Sequence, residues 1–286
     1  MCFTLFFLCT SANAKDLTKS SGLNNVSYSS VTALEFKNAD FKLSYGQDPL
    51  QYGLLWLPSG AAKVDTTANT NIKNQRDFPL IVMIHGGCWL NAYDIKHTYA
   101  LSTALAEAGY AVWSLEYRRT GDDGGGWPGS LTDVRAGIAY TAKLETYSVN
   151  VSKVVLTGHS AGGHLALLAG AENKSIAAVI GLAAITDIEQ YSRGSNSCQS
   201  ATSQFMAGTY EQKPSEYDNA NPLKQTLHTS SLLLQGSADV IVPMAQATQS
   251  KLPFKILADA GHFDWVHPDS QAFQTLLLSL QDIFNK

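Results

Sequence analysis

Three residues have the types and the chain order that acyl transfer needs: Ser160, then Asp239, then His262. A serine hydroxyl is a weak nucleophile until a base within hydrogen-bond reach takes its proton, and a carboxylate must hold that base in the right tautomer. Ser160 sits in Gly158-His159-Ser160-Ala161-Gly162, between the apolar run Val154-Val155-Leu156 and the helical pattern Leu165-Ala166-Leu167-Leu168-Ala169. G-x-S-x-G between a strand and a helix is a nucleophile elbow, a sharp corner that holds the serine hydroxyl out from the sheet. Read blandly, the same five residues are a Gly-rich turn with a serine at its apex. The strand–turn–helix context and the later acid and histidine favour the catalytic reading.

His262 follows the last predicted strand, Phe254 to Leu257, and Asp239 follows the strand Ser231 to Gln235. Both lie at the carboxyl edge, where open α/β sheets carry their sites. Asp187 also follows a predicted strand and is a second candidate for the acid. Asp239 is favoured because it belongs to the strand immediately before the histidine. His159 and His164 flank Ser160 too closely to turn back onto it, and His267 precedes a helix.

His85-Gly86-Gly87 follows the buried run Leu80 to Ile84. A glycine pair there lets backbone N–H groups turn toward the nucleophile. Gly87, Cys88 and Ala161 are the candidate oxyanion donors, Ala161 at the N-terminus of the helix after the elbow. On this reading the Cys88 side chain matters little to the chemistry. Arg118 and Arg119 could bind a substrate carboxylate, but tying a strand end to its loops is the commoner use of such a pair. Trp89, Trp127 and Trp265 line a pocket or belong to the core.

These parts must be positioned by strands and helices, and the rest of the chain supplies them. Of 286 residues, 45% are hydrophobic and 15% charged, with a net charge of -4. That suits one large α/β domain, and it gives no basic block for nucleic acid. No apolar run reaches the length of a transmembrane helix. Strands are expected at Leu34–Phe36, Phe41–Tyr45, Leu54–Pro58, Leu80–Ile84, Ala111–Leu115, the elbow strand, Ala177–Ala183, Ser231–Gln235 and Phe254–Leu257. Helices are expected over Asp94–Ala108, from Ser130 to about Thr146 with a Ser130/Asp133 capping box, and over Ser270–Phe284. Alternating buried strands and helices mean a mostly parallel central sheet with helices on both faces. Asp187 to Gln225, polar and short of long apolar runs, reads as a small cap.

The first residues read as an export signal, residues 1–14. Phe3 to Leu8 is an apolar core and Ala12-Asn13-Ala14 a cleavage site, although no Lys or Arg precedes Lys15. Residues 15–30 read as a loose segment, and 31–286 as a single domain. Cys2 and Cys9 would leave with the signal. Cys88 and Cys198 would remain. Two cysteines in an oxidising compartment could pair, but sequence does not set their distance, and free thiols are the preferred reading.

The chain resembles the α/β-hydrolase superfamily, and within it the esterase/lipase group of hormone-sensitive-lipase-like and kynurenine-formamidase-like enzymes. The resemblance rests on His85-Gly86-Gly87-Cys88-Trp89, Glu116-Tyr117-Arg118-Arg119, Gly125-Gly126-Trp127-Pro128-Gly129, the segment Gly158 to His164, and Ala260-Gly261-His262-Phe263-Asp264. It implies an α/β-hydrolase fold and a cofactor-independent serine hydrolase acting on small esters or formamides, and it places the acid at Asp239. The sequence departs from H-G-G-G at Cys88. The signal argues against a cytosolic step of tryptophan breakdown, and so against strict kynurenine formamidase. The alternatives are an arylformamidase or small amidase with the same triad, and a non-catalytic binding protein on the same scaffold.

Overall fold

Strands buried on both faces read as continuous apolar runs, with successive side chains sent to opposite sides. In the computed structural model, which describes residues 23–61, 77–171 and 173–285, β3 (Phe78–Ile84) shows this directly. Leu80, Val82 and Ile84 join one core and Ile81 and Met83 the other. β4 (Ala111–Leu115) repeats the division, with Ala111, Trp113 and Leu115 against Val112.

Eight strands among the described residues form one sheet. Besides β3 and β4 they are β1 (Phe41–Ser44), β2 (Tyr52–Trp56), β5 (Val149–His159), β6 (Ala178–Leu182), β7 (Ser231–Gly236) and β8 (Phe254–Leu257). The order is β1-β2-β4-β3-β5-β6-β7-β8. The β1–β2 and β2–β4 pairs are antiparallel and the others parallel. The chain runs from β3 outward to β4, then returns across β3 to β5. Ligands bind at such a switch point, outside the carboxyl ends of the strands. Here the loops leaving β3 and β5 carry His85-Gly86-Gly87 and Ser160.

Helices cover both faces. α3 (Gly129–Ala139) and α4 (Ala161–Gly170) pack Leu131, Val134, Leu165 and Leu168 on one side. α2 (Tyr99–Glu107) and the C-terminal helix (Gln271–Phe284) pack Leu101, Leu105, Leu276 and Leu280 on the other. The cap consists of α5 (Ile188–Ser192), α6 (Ser197–Phe205) and α7 (Pro214–Ala220). No helix among the described residues is long and apolar enough to cross a membrane.

The structure departs from the sequence reading at several places. Leu34–Phe36 is not a strand, because side chains take the backbone just beyond it. Lys37 N–H donates to Thr103 Oγ1 and Lys37 O accepts Trp56 Nε1. The Ser130/Asp133 capping box is absent. Ser130 Oγ donates to Arg118 O, and the Asp133 carboxylate receives the Arg118 guanidinium at 2.7 and 2.8 Å. The helix begins after Pro128 and tightens to 3₁₀ from Tyr140 to Tyr147.

Residues 23–30, read as the end of a loose segment, are tied down. The Asp264 carboxylate accepts Asn25 N–H and Val26 N–H, each at 2.7 Å, and a short helix, α1 (Tyr28–Thr32), follows. The proposed signal and residues 15–22 lie outside the described residues.

Candidate active site

Ser160 stands between the end of β5 and the start of α4 with φ 56° and ψ −122°. A non-glycine residue there costs about 1–3 kcal/mol and persists only where its surroundings enforce it. The enforcement is visible in the neighbouring glycines. A Cβ on Gly162 would lie 2.2 Å from Ile84 O, so α4 can close onto the β3 loop only without one. Ser160 N–H donates to Leu182 O and Ser160 O accepts His164 N–H, which fixes the corner on both sides.

The loop after β3 is unusual for three consecutive positive φ angles, Gly87 at 109°, Cys88 at 54° and Trp89 at 59°. Among the described residues, no backbone acceptor meets the N–H groups of Gly87 and Cys88, nor Ala161 N–H at the first turn of α4. Behind the loop, Glu116 collects buried donors. Its Oε1 lies 2.9 Å from His85 Nε2 and accepts Tyr117 N–H, while Oε2 accepts Ile95 N–H. Burial alone would raise the Glu116 carboxyl. The His85 ring, the Arg119 guanidinium and the Tyr117 N–H outweigh it and hold the carboxyl below its usual range.

Asp239 lies in the loop after β7 and His262 in the loop after β8. His262 Nδ1 is 2.8 Å from Asp239 Oδ2. The other Asp239 oxygen accepts the N–H groups of Ile241 and Val242, each at 2.8 Å, and Gln235 Nε2 donates to Oδ2 at 3.1 Å. The carboxylate is therefore oriented by four donors. Asp187, the other candidate acid, caps α5 by accepting Gln190 N–H and also accepts Asn221 Nδ2. Both bonds go to Oδ1 and tie Asp187 to the cap.

Ser160, His262, Gly87 and Cys88 line one cavity of about 190 Å³, together with Tyr28, Tyr93, His97, His159, Asn196, Ser197, Cys198, Ile241 and Phe263. No Lys, Arg, Asp or Glu lines it among the described residues. Sequence reasoning missed most of this wall. Tyr28 stands in a polar, Ser-rich stretch with no periodicity to mark it, and Tyr93, Asn196 and Ile241 lie in or beside loops. Larger hollows lie away from these groups, one of them around Lys37, Trp56 and Glu107.

The two arginines do not reach the cavity. Arg118 pairs with Asp133, and Arg119 donates to Tyr93 O and Asp122. Trp89 and Trp265 are fully buried in the core, and Trp127 Nε1 donates to Glu216. Cys88 and Cys198 are not free thiols. They form a disulfide with Cα atoms 5.0 Å apart, because the cap folds α6 down onto the β3 loop. Sequence alone could not supply that distance across 110 residues. Among the described residues, no cluster of His, Cys, Asp and Glu is arranged to hold a metal ion.

Three buried histidines surround the site and stay neutral. Burial pushes His97 down to about 3, with the His85 ring adding to it, and pushes His164 down to about 4. Burial, then the neighbouring rings of His262 and His97, drives His159 well below its ordinary value. In the unfolded chain each would titrate near 6.5, so below that pH the unfolded state binds protons that the native state refuses. Stability is full above pH 6.5 and falls as the pH drops, by about 1–2 kcal/mol per histidine between pH 7 and 5. The melting temperature should drop on the order of 10 °C over that interval, before the carboxylates contribute. A melt followed by circular dichroism at pH 7, 6 and 5 checks this, and a flat profile would contradict it.

A mostly parallel sheet with a strained serine corner between strand and helix at the switch point is the α/β-hydrolase fold. Solved structures agree. Esterase B from Lactobacillus Rhamnosis superposes with a TM-score of 0.70 at 19% identity, covering 90% of each chain. A truncated carbohydrate esterase from gut microbiota gives 0.71 at 19% identity, over 88% of this chain and 98% of that one. Residues 67–252 match the BD-FAE family, and the chain belongs to it. Esterase LipC of Mycobacterium tuberculosis is 24% identical over an aligned length of 254 that covers 77% of this chain. The chain spans 59% of the length of that relative.

Proposed function

We propose that the chain is a carboxylic ester hydrolase working through a Ser160–His262–Asp239 triad and an acyl-enzyme. The observation that carries this reading is the 2.8 Å contact of His262 Nδ1 with a four-donor carboxylate, on a histidine that shares its cavity with a strained elbow serine. The esterase names of several relatives support the same activity.

With Nδ1 donating to Asp239, His262 Nε2 is free to accept the Ser160 proton as Oγ attacks the substrate carbonyl. The carbonyl oxygen becomes an oxyanion, stabilised by the N–H groups of Gly87, Cys88 and Ala161. Collapse expels the alcohol, which takes the proton from His262, and leaves the acyl group on Ser160. Water then repeats the sequence with His262 as base and releases the acid. Each step is acid–base and nucleophilic chemistry among these side chains and N–H groups. Hydrolysis of p-nitrophenyl acetate by the purified protein tests the proposal, and no turnover above the buffer rate would refute it.

The cavity wall narrows the substrate. A volume of about 190 Å³ is below the ~300–1,000 Å³ of sites that enclose drug-sized ligands. Its lining carries no Lys, Arg, Asp or Glu, which favours neutral acyl groups. Two- to four-carbon acyl esters should therefore show higher kcat/KM than sixteen-carbon esters in monomeric solution; the reverse order would contradict this cavity as the acyl site. The disulfide is consistent with an oxidising compartment and so with export. On that reading intact mass places the N-terminus of the exported protein at Lys15, whereas a mass retaining Cys2 and Cys9 would overturn it.

A further inference from the structure

The loop that carries Gly87 and Cys88 N–H is bent through three consecutive left-handed residues, two of which have side chains. Such a conformation is kept only where neighbouring structure enforces it. Gly87 O accepts Leu90 N–H, and Trp89 O accepts Thr120 N–H. The first closes a turn across Cys88 and Trp89 and braces their backbone, and the second acts beyond Cys88. The two side chains of the bend are both fastened to one cap helix. Cys88 is bonded to Cys198, in the first turn of α6. Trp89 stacks on Phe205, at the last turn of α6, with ring centroids 4.8 Å apart and planes 12° apart. The indole N–H of Trp89 also donates to His164 Nδ1, on the helix that begins at the nucleophile.

α6 is itself anchored. Asn196 caps it by accepting Gln199 N–H, and the same side chain donates to the carbonyls of Val240 and Ile241, next to Asp239. One helix thus connects the acid loop to the bend with the Gly87 and Cys88 N–H groups. The covalent bond of this helix goes to Cys88, which lines the same cavity as Ser160.

We propose that α6 sets the geometry of the oxyanion donors, with Cys198 as a positioning residue that holds Cys88 N–H on target through the disulfide. The inference rests on the esterase reading of Ser160. Cys198 lines the cavity beside Cys88 and is assigned no chemical step. It acts by restricting where the Cys88 backbone can go, and Phe205 restricts Trp89 at the other end of the same helix.

The transition state gains more from a correctly aimed N–H than the bound ester does, so a loosened bend lowers kcat and leaves KM nearly unchanged. Losing one oxyanion donor costs about 10²–10³ in kcat, and a misaimed one is expected to cost at least about tenfold. The experiment compares Cys198→Ser with wild type on p-nitrophenyl acetate, with kcat expressed per serine titrated by a fluorophosphonate so that only folded sites count. It adds the inhibition constant of a phenylboronic acid, whose tetrahedral adduct places an oxygen where the oxyanion forms. The expected result is kcat down at least tenfold, KM within about twofold, and a boronate inhibition constant raised in parallel with the loss of kcat. A purely structural role would lower the melting temperature and leave kcat per site and boronate binding as they were, and that outcome overturns the proposal.

Should Cys198→Ser yield no titratable enzyme, folded wild type treated with dithiothreitol decides. Dithiothreitol supplies two electrons and two protons, gives two thiols and becomes a cyclic disulfide. Complete reduction, counted by thiol titration, with kcat per site within twofold of the oxidised enzyme would also overturn it. Failure of the esterase reading looks different, because wild type itself would then show no turnover and no titratable serine.

Discussion

Ser160→Ala is expected to lower kcat by about a millionfold while the protein keeps its fold. The size of the loss follows from the proposed division of labour. Asp239, His262 and the three N–H groups all serve one attacking oxygen, and removing that oxygen leaves them nothing to activate. What remains is the contribution of the donor groups and of substrate positioning, worth about 10³–10⁴ over water in a comparable triad. The corner itself is enforced by Gly162 against Ile84 O and by the backbone bonds of Ser160 to Leu182 and His164, none of which uses Oγ. The variant should therefore melt within a few degrees of wild type. Turnover of a p-nitrophenyl ester within tenfold of wild type, in variant protein purified free of contaminating esterase, would remove Ser160 from the mechanism.

Asp239→Asn is the second large effect, with kcat down about 10⁴-fold in a folded protein. An amide in place of the carboxylate can turn a donor toward His262 Nδ1, which drives the imidazole to the tautomer whose Nε2 already carries the proton. The donors now gathered on Asp239, Ile241 N–H, Val242 N–H and Gln235 Nε2, have only one side-chain oxygen left to meet. Some loss of stability accompanies the loss of rate, so the melt must be measured beside kcat. Asp187→Asn is the matched control. Asp187 caps α5 and accepts Asn221 Nδ2, and an asparagine still caps well. Its kcat should stay within a few fold of wild type. A folded Asp239→Asn enzyme with near-normal turnover, beside a dead but folded Asp187→Asn, would move the acid to Asp187.

Much of the frame was legible because it depends on local signals. Leu80 to Ile84 reads as a strand buried on both sides because both sides are apolar, and it is one. The elbow and the His-Gly-Gly turn show through their glycines, which are needed wherever backbone closes on backbone. The later strands announce themselves in the same way, so the loops bearing Asp239 and His262 could be placed at the carboxyl edge.

What stayed hidden depends on distance across the fold. The disulfide joins positions far apart in sequence, and neither cysteine carries a mark of its partner. The sequence reading of Cys88 looked only at its backbone, where the disulfide leaves no sign. Residues 23–30 looked loose because Ser and Asn dominate them. Their order comes from Asp264, more than 230 residues later, whose carboxylate holds Asn25 and Val26. Ser130 and Asp133 have the right spacing for a cap, but Arg118 claims both. Short polar motifs are decided by whichever partner tertiary structure brings nearest.

The central claim is that Ser160 is an activated nucleophile, and covalent labelling tests it most directly. Purified protein is treated with a fluorophosphonate, and digested peptides are sequenced by mass spectrometry while residual esterase activity is followed. The account predicts one phosphonyl group per chain, on Ser160, with activity lost in proportion to labelling and no labelling of Ser160→Ala. An unlabelled Ser160 in an active enzyme, or inactivation that tracks modification of another residue, would contradict it.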